Sequence, residues 1–309
     1  MAALIDVILP VFLILAFGYI AVWKNLLSDS AVQGLMQFTQ TFAIPFLLFR
    51  ALSTIDLSQT FNAPLLASFY LGAIVGFAGG LLGARYLFGR DWEDSVAVGF
   101  CGMFSNTVLL GLPITERAYG ATALEANYAI IALHAPFGFA VGITIMEVVL
   151  NRGAGLAVLP AKVFKAMATN SLIIGISLGL LVNLSGLAVP TVLGEALDLV
   201  ARAALPAALF GLGGLLVQYR PDGDLRLALF VVGLSLILHP LIAYTMGGMF
   251  GLTVAELRSA TLTAAMAPGI NVYIFANIYG RAKRVAASSV LLATGLSVLT
   301  VWGWLAVLP

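Results

Sequence analysis

Residues Gly102-Met103-Phe104-Ser105-Asn106-Thr107-Val108-Leu109-Leu110-Gly111-Leu112-Pro113 sit in the middle of an apolar run long enough to cross a membrane. A second run of the same kind, Ala265-Met266-Ala267-Pro268-Gly269-Ile270-Asn271-Val272-Tyr273, follows about 160 residues later. Each places proline, glycine and a carboxamide where an uninterrupted membrane helix has Leu, Ile and Val. Pro113 has no N–H for the Leu109 carbonyl, and Pro268 has none for Ala264, so both runs are expected to break. Unpaired carbonyls are costly in hydrocarbon, and broken backbone survives there only buried in protein or lining a cavity. Two interrupted runs at matching places in the two halves of a chain point to the binding site of a secondary transporter. Pro113, Gly111 and Pro268 are the expected helix-break residues.

The rest of the composition agrees with a membrane setting. The chain has 309 residues, 61% of them hydrophobic and 9% charged, with a mean hydropathy of +1.06. A soluble domain carries about 25% charged residues. The formal net charge of +1 and the lack of any basic tract argue against a nucleic-acid partner. Cys101 is the sole cysteine, which excludes an intrachain disulfide and a cysteine-based metal site. Met1 to Asp6 has no basic stretch, and Leu4 to Trp23 is long enough to span, so the start reads as a first helix rather than a cleaved signal.

Apolar runs of about 20 residues fall at 4–23, 31–52, 63–88, 95–119, 125–150, 168–185, 194–217, 226–250, 257–280 and 285–308. The expected fold is therefore an all-α integral membrane protein of ten transmembrane helices, without an appended soluble module. Basic residues divide unevenly between the two sides. Lys24, Arg85, Arg90, Arg152, Lys162, Lys165, Arg220, Arg226, Arg281, Lys283 and Arg284 follow odd-numbered spans; Arg50, Arg117, Arg202 and Arg258 lie on the other side. Positive charge is retained in the cytoplasm, so both termini are expected outside, in the inner (plasma) membrane.

The halves also resemble each other. Ile44-Pro45-Phe46-Leu47-Leu48-Phe49 matches Leu205-Pro206-Ala207-Ala208-Leu209-Phe210, and Ala118-Tyr119-Gly120 matches Ile278-Tyr279-Gly280. Five spans is an odd number, so a second copy enters from the opposite side. Residues 1–150 and 151–309 are expected to form two inverted five-helix repeats. Gly72, Gly76 and Gly80 recur on one face of the third span, where a neighbouring backbone can approach closely.

The two interrupted phrases, extended in the second case through Ile274-Phe275-Ala276, resemble the fourth- and ninth-helix motifs of the auxin efflux carrier family. The chain lacks the long central loop of many plant members and is similar to the compact bacterial ones, which are regarded as carriers of small carboxylates such as malonate or malate. The resemblance implies a fold like that of bile-acid and sodium–proton transporters. In it the fourth and ninth spans cross in a transport domain (spans 3–5 and 8–10), while spans 1, 2, 6 and 7 form a scaffold that often dimerises. It also makes Asn106 and Asn271 the carboxamides that face substrate. Plant members have proline where this chain has Ser105, which leaves the first break to Gly102, Gly111 and Pro113.

Residue chemistry gives the candidate site. A carboxamide can hydrogen-bond a carboxylate or a freed carbonyl. No Asp, Glu, Lys or Arg occurs in 95–115 or 259–280. Converging helix N-termini carry partial positive charge, so the centre suits an organic anion better than a cation, and a cation–proton antiporter on the same fold is the alternative. Asn106, Thr107, Ser105, Gly269 and Asn271 are the expected substrate contacts, with Tyr128 and His134 behind them. His134 beside Pro136 is a candidate proton relay; potential-driven movement of the anion needs no such group. His239, before Pro240, reads as structural, Glu147 as a solvated carboxylate and Arg50 as snorkelling. No phosphate-binding loop or H-E-x-x-H occurs, so neither cofactor nor metal is expected. Gly175-Ile176-Ser177-Leu178-Gly179 matches G-x-S-x-G inside an apolar helix and reads as packing, so an intramembrane hydrolase is the weakest alternative.

Overall fold

In the computed structural model, residues 2–150, 159–219 and 224–309 are described. The polar clusters Asn151-Arg152-Gly153 and Arg220-Pro221-Asp222 lie outside them. The main elements among the described residues are helices: α1 (Ala2–Trp23), α2 (Asp29–Thr54), α3 (Ala63–Tyr86), α4 (Trp92–Met103), α5 (Leu112–Tyr119), α6 (Leu124–Leu150), α7 (Leu159–Ala168), α8 (Ser171–Ser185), α9 (Thr191–Leu216), α10 (Leu225–Met249), α11 (Val254–Ala264), α12 (Ile270–Tyr279) and α13 (Lys283–Val307). Among the described residues, seven helices are long and apolar enough to span, or eight if α7 and α8, bent by 82° at their junction, count as one. This is a multi-span membrane protein. The sixth run was expected as one helix over 168–185; it is preceded instead by the separate α7.

Prolines shape several spans by one device. The π turns Thr39–Ala43, Thr107–Gly111 and Leu234–Leu238 each end two residues before a proline: Pro45, Pro113 and Pro240. A wider turn accommodates the ring and the missing N–H without ending the helix. At Pro240 the carbonyl four residues back belongs to Leu236, and Trp304 Nε1 of α13 donates to it at 3.0 Å. An orphaned carbonyl inside the membrane thereby gains a donor.

The helices gather into two compact units. The first comprises Met1–Ile8, Phe61–Val163 and Tyr219–Pro309. Its tightest seam is between α3 and α4. A Cβ on Gly76 would lie 2.3 Å from the Gly102 carbonyl oxygen, and one on Gly102 would lie 2.5 Å from that of Gly76. Only two glycines allow those backbones to touch. Leu65, Phe69, Ala129, Ile130, Ala243, Ala260 and Ala264 form one buried cluster of this unit, and Phe100 stacks on Phe275 with centroids 4.1 Å apart. Glu147 is buried here, 2.6 Å from Lys162 Nζ, with the Tyr279 hydroxyl 3.4 Å away. It is a paired carboxylate, not the solvated one expected, because α7 lays Lys162 against the end of α6.

The second unit comprises Leu9–Thr60 and Phe164–Gln218. Arg50 donates to Asp198 through Nε (2.8 Å) and Nη2 (3.0 Å), a fork-to-fork pair between α2 and α9. Arg50 is thus held by a carboxylate rather than snorkelling. Asn183 Nδ2 donates to the Leu52 and Ile55 carbonyls, and Gly175 packs directly against Pro45. The G-x-S-x-G phrase is a packing stripe.

Candidate functional site

In the first unit the two interrupted stretches lie side by side. Helix α4 ends at Met103 and the chain is non-helical at Phe104 (ψ 86°) and Asn106 (ψ 65°), before the Thr107–Gly111 turn leads into α5. Helix α11 ends at Ala264, and Gly269 (φ −75°, ψ 165°) is the extended residue from which α12 starts. Ser105 and Pro268 form an antiparallel β-bridge. The Asn106 N–H donates to the Ala267 carbonyl at 2.8 Å and the Gly269 N–H to the Phe104 carbonyl at 2.9 Å. Ser105 and Pro268 are therefore the non-hydrogen-bonded pair, which needs no N–H from either residue. That is why proline is tolerated at 268. Broken backbone in the membrane satisfies itself with backbone.

The first interruption starts at Phe104, just after Gly102 and ahead of Gly111 and Pro113. Gly111 closes the π turn and Pro113 stands in the first turn of α5, so both follow the break rather than make it. Asn106 is the N-cap: its Oδ1 accepts from the Leu109 N–H at 3.2 Å, while its carbonyl accepts from the Leu110 and Gly111 N–H groups. Pro268 does interrupt the second run. The Ala264 carbonyl it deprives meets the Ser105 hydroxyl at 3.4 Å.

Two histidines converge on Ser105. His134 Nε2 lies 3.1 Å from the Ser105 carbonyl oxygen, and His239 Nδ1 lies 3.3 Å from Ser105 Oγ. His239 Nε2 is 3.1 Å from the Phe69 carbonyl. A carbonyl only accepts, so the Nε2 of each ring carries a hydrogen. The rings of Phe69 and Phe104 pack on His134 at 5.4 and 4.4 Å between centroids. A second polar cluster lies nearby in sequence terms: Asn127 Nδ2 donates to Thr263 Oγ1 (2.8 Å) and Thr115 Oγ1 (3.2 Å).

Of the expected contacts, Ser105, Asn106, Thr107 and Gly269 are together and buried. A Cβ on Gly269 would stand 3.4 Å from Asn106 Cα. Asn271, two residues into the same helix start, is half-buried, and among the described residues its side chain has no hydrogen-bond partner. His134 reaches the break through Ser105. Tyr128 shares no hydrogen bond or ring contact with it; the adjacent Asn127 is the α6 side chain that binds α5 and α11. His239 is the residue that sequence reasoning set aside. Its signal was an ionisable group next to proline, deep in a span whose one charged residue, Arg226, stands at its start.

The chemistry available is that of a neutral, donor-rich cradle. Two helices begin at the break, at Thr107 and Ile270, and helix N-termini carry partial positive charge; at the first, the Thr107 and Leu109 N–H groups are taken by the Ser105 carbonyl and Asn106 Oδ1. The Asn106 and Asn271 amides add side-chain donors. Among the described residues no group of three or more His, Cys, Asp or Glu could hold a metal ion.

A many-span helical protein with a buried, paired break of this kind belongs to the class of membrane transporters. The model of the membrane transport protein family matches residues 3–171 and 154–305, and the chain belongs to that family, the one that includes the auxin efflux carriers. It is a transporter and not an enzyme. It is 26% identical over 311 residues, covering 99% of this chain and 96% of the relative, to a protein of Rhizobium meliloti (strain 1021) named "Putative malonate transporter".

Proposed function

We propose that this protein is a secondary carrier of a small organic anion, a dicarboxylate of the malonate type, working by alternating access. The observation that carries the reading is the Ser105–Pro268 crossing, where two helix starts and two carboxamides meet without any carboxylate. Such a site attracts an anion and offers a cation no charged ligand. Asn106, Thr107, Gly269 and Asn271 bind the carboxylate groups, with Ser105 and His134 behind them. The similarity to a protein named for malonate supports a dicarboxylate over an auxin-like monocarboxylate.

In this reading the chain forms ten spans, with α4–α5 and α11–α12 each crossing as one broken helix, arranged as two inverted five-helix repeats. The first compact unit is the transport domain and the second the scaffold on which the carrier dimerises. Both termini face away from the cytoplasm in the inner membrane.

Uptake of labelled malonate, malate and indole-3-acetate into proteoliposomes at controlled pH and potential tests the reading. Malonate or malate uptake abolished by the Asn106→Ala, Asn271→Ala double variant is the expected result. Uptake retained in that variant would remove the site from the crossing.

A further inference from the structure

We propose that His239 is the proton carrier of this transporter, and that it is charged only while an anion occupies the crossing. The proposal rests on the carrier reading above and adds to it the coupling ion and the atom that holds it.

Hydrogen-bond accounting separates the two histidines. In neutral His239, Nε2–H donates to the Phe69 carbonyl and Nδ1 is an acceptor. The Ser105 hydroxyl then turns to Nδ1, and the Ala264 carbonyl, which Pro268 cannot serve, loses its donor. With a proton on Nδ1 every group is matched. Nε2–H still donates to Phe69, Nδ1–H donates to Ser105 Oγ, and the Ser105 O–H is released to Ala264. His134 has no such provision. Its Nε2–H donates to the Ser105 carbonyl, and its buried Nδ1 has no partner among the described residues. A proton added there would be a donor without an acceptor, which is costly in a dry site.

Among the described residues, the surroundings of His239 supply no counter-charge. Helix α3 presents the Phe69 ring at 4.8 Å and Gly72, whose Cβ would stand 2.6 Å from His239 Cδ2. The break presents Ser105, α11 the Ala264 carbonyl, and α6 His134; the Trp304 indole of α13 is engaged at Leu236. Among these groups His134 alone is titratable. A lone imidazolium is expensive at this depth, so the compensating charge is the anion at Asn106, the residue after Ser105. Anion and proton therefore favour each other's binding by the same factor. His239 Nδ1 takes a proton from water on the side to which the crossing is open. It releases that proton to water on the other side when the anion leaves, so anion and proton move in the same direction.

The test is calorimetric titration of malonate into purified protein in two buffers of different ionisation heat, between pH 6.5 and 8.5, beside internal-pH recording in proteoliposomes. Wild type is expected to take up a proton as malonate binds, with Kd weakening towards about tenfold per pH unit. His239→Gln retains a donor for Phe69 but cannot titrate; its proton uptake is expected to fall to background and its Kd to lose pH dependence. His134→Gln is expected to bind malonate more weakly and still to take up a proton for each malonate bound. Ser105→Ala, which leaves the His239–Phe69 bond in place, is expected to reduce it, and serves if His239→Gln does not fold. Proton uptake that persists in His239→Gln, or disappears in His134→Gln alone, overturns the assignment. Malonate binding and transport by wild type without proton uptake overturns it while leaving the carrier. No binding of malonate or malate by wild type overturns both.

Discussion

The main-chain N–H of Asn106 donates to the carbonyl of Ala267, 161 positions further along, across 2.8 Å in the interior of the first unit. The fold therefore depends on Asn106 through its backbone and its cap, whereas Asn271 makes no side-chain hydrogen bond among the described residues. Asn106→Ala should lower the melting temperature, by an amount corresponding to roughly 1 kcal/mol for a lost cap, and also weaken anion binding. Asn271→Ala should weaken binding with no change in melting temperature. Thermal unfolding in detergent beside binding titrations separates the two. Equal destabilisation by both would show that Asn271 has a structural partner.

The Gly76–Gly102 contact leaves no room for a side chain on either helix. Gly76→Val or Gly102→Val should push α3 from α4 and destabilise the unit by about 1–3 kcal/mol or more. Size-exclusion profiles and melting temperatures read the effect. Gly248→Ala, in open space on α10, is the control and should leave both unchanged.

Trp304→Phe keeps the ring and removes the donor to the Leu236 carbonyl. The expected loss is about 1 kcal/mol, in line with single hydrogen bonds inside membranes, seen as a lower melting temperature with malonate affinity preserved. Removing Pro240 as well, by Pro240→Ala, would restore an N–H for the same carbonyl and should recover part of the loss.

Asp224 caps α10 just outside its span. The Leu227 N–H it accepts, aided by Arg90 at 3.1 Å, holds its carboxyl below the usual carboxylate range. A group whose folded pKa is depressed contributes stability above its unfolded pKa, about 3.9, and that stability is lost as pH falls through the folded value. Asp224→Asn should therefore be less stable than wild type at neutral pH, with the gap closing below about pH 4. Melting curves across pH 3–7 check this; a gap independent of pH would mean that shape rather than charge is what Asn fails to supply.

Much of this was legible in the sequence, for identifiable reasons. Apolar runs located the helices because hydrocarbon leaves the backbone few other choices. The two broken stretches announced themselves through Pro268 and the flanking glycines. The sequence left the first break spread over Gly102 to Pro113, since Pro113 looks like a breaker but is absorbed by a π turn, while Phe104 and Ser105 carry no breaking signal of their own. What extends those residues is the partner strand at Ala267 to Gly269, and a contact between positions some 160 apart is invisible to local pattern. The His239–Ser105 contact was hidden for the same reason, and so was the pairing of Glu147 with Lys162. Asn106, Thr107 and Gly269 drew notice in the sequence because their chemical types are out of place in an apolar run.

The backbone bridge at the crossing consists of two N–H groups and two carbonyls and takes no bond from a side chain. Any residue except proline at positions 106 and 269 preserves those bonds, and positions 105 and 268 contribute none. Selection can therefore change the side chains that face the cargo without redesigning the frame that presents them. A family built on this arrangement can diversify in what it carries while keeping one architecture, because the bridge itself is written in backbone atoms.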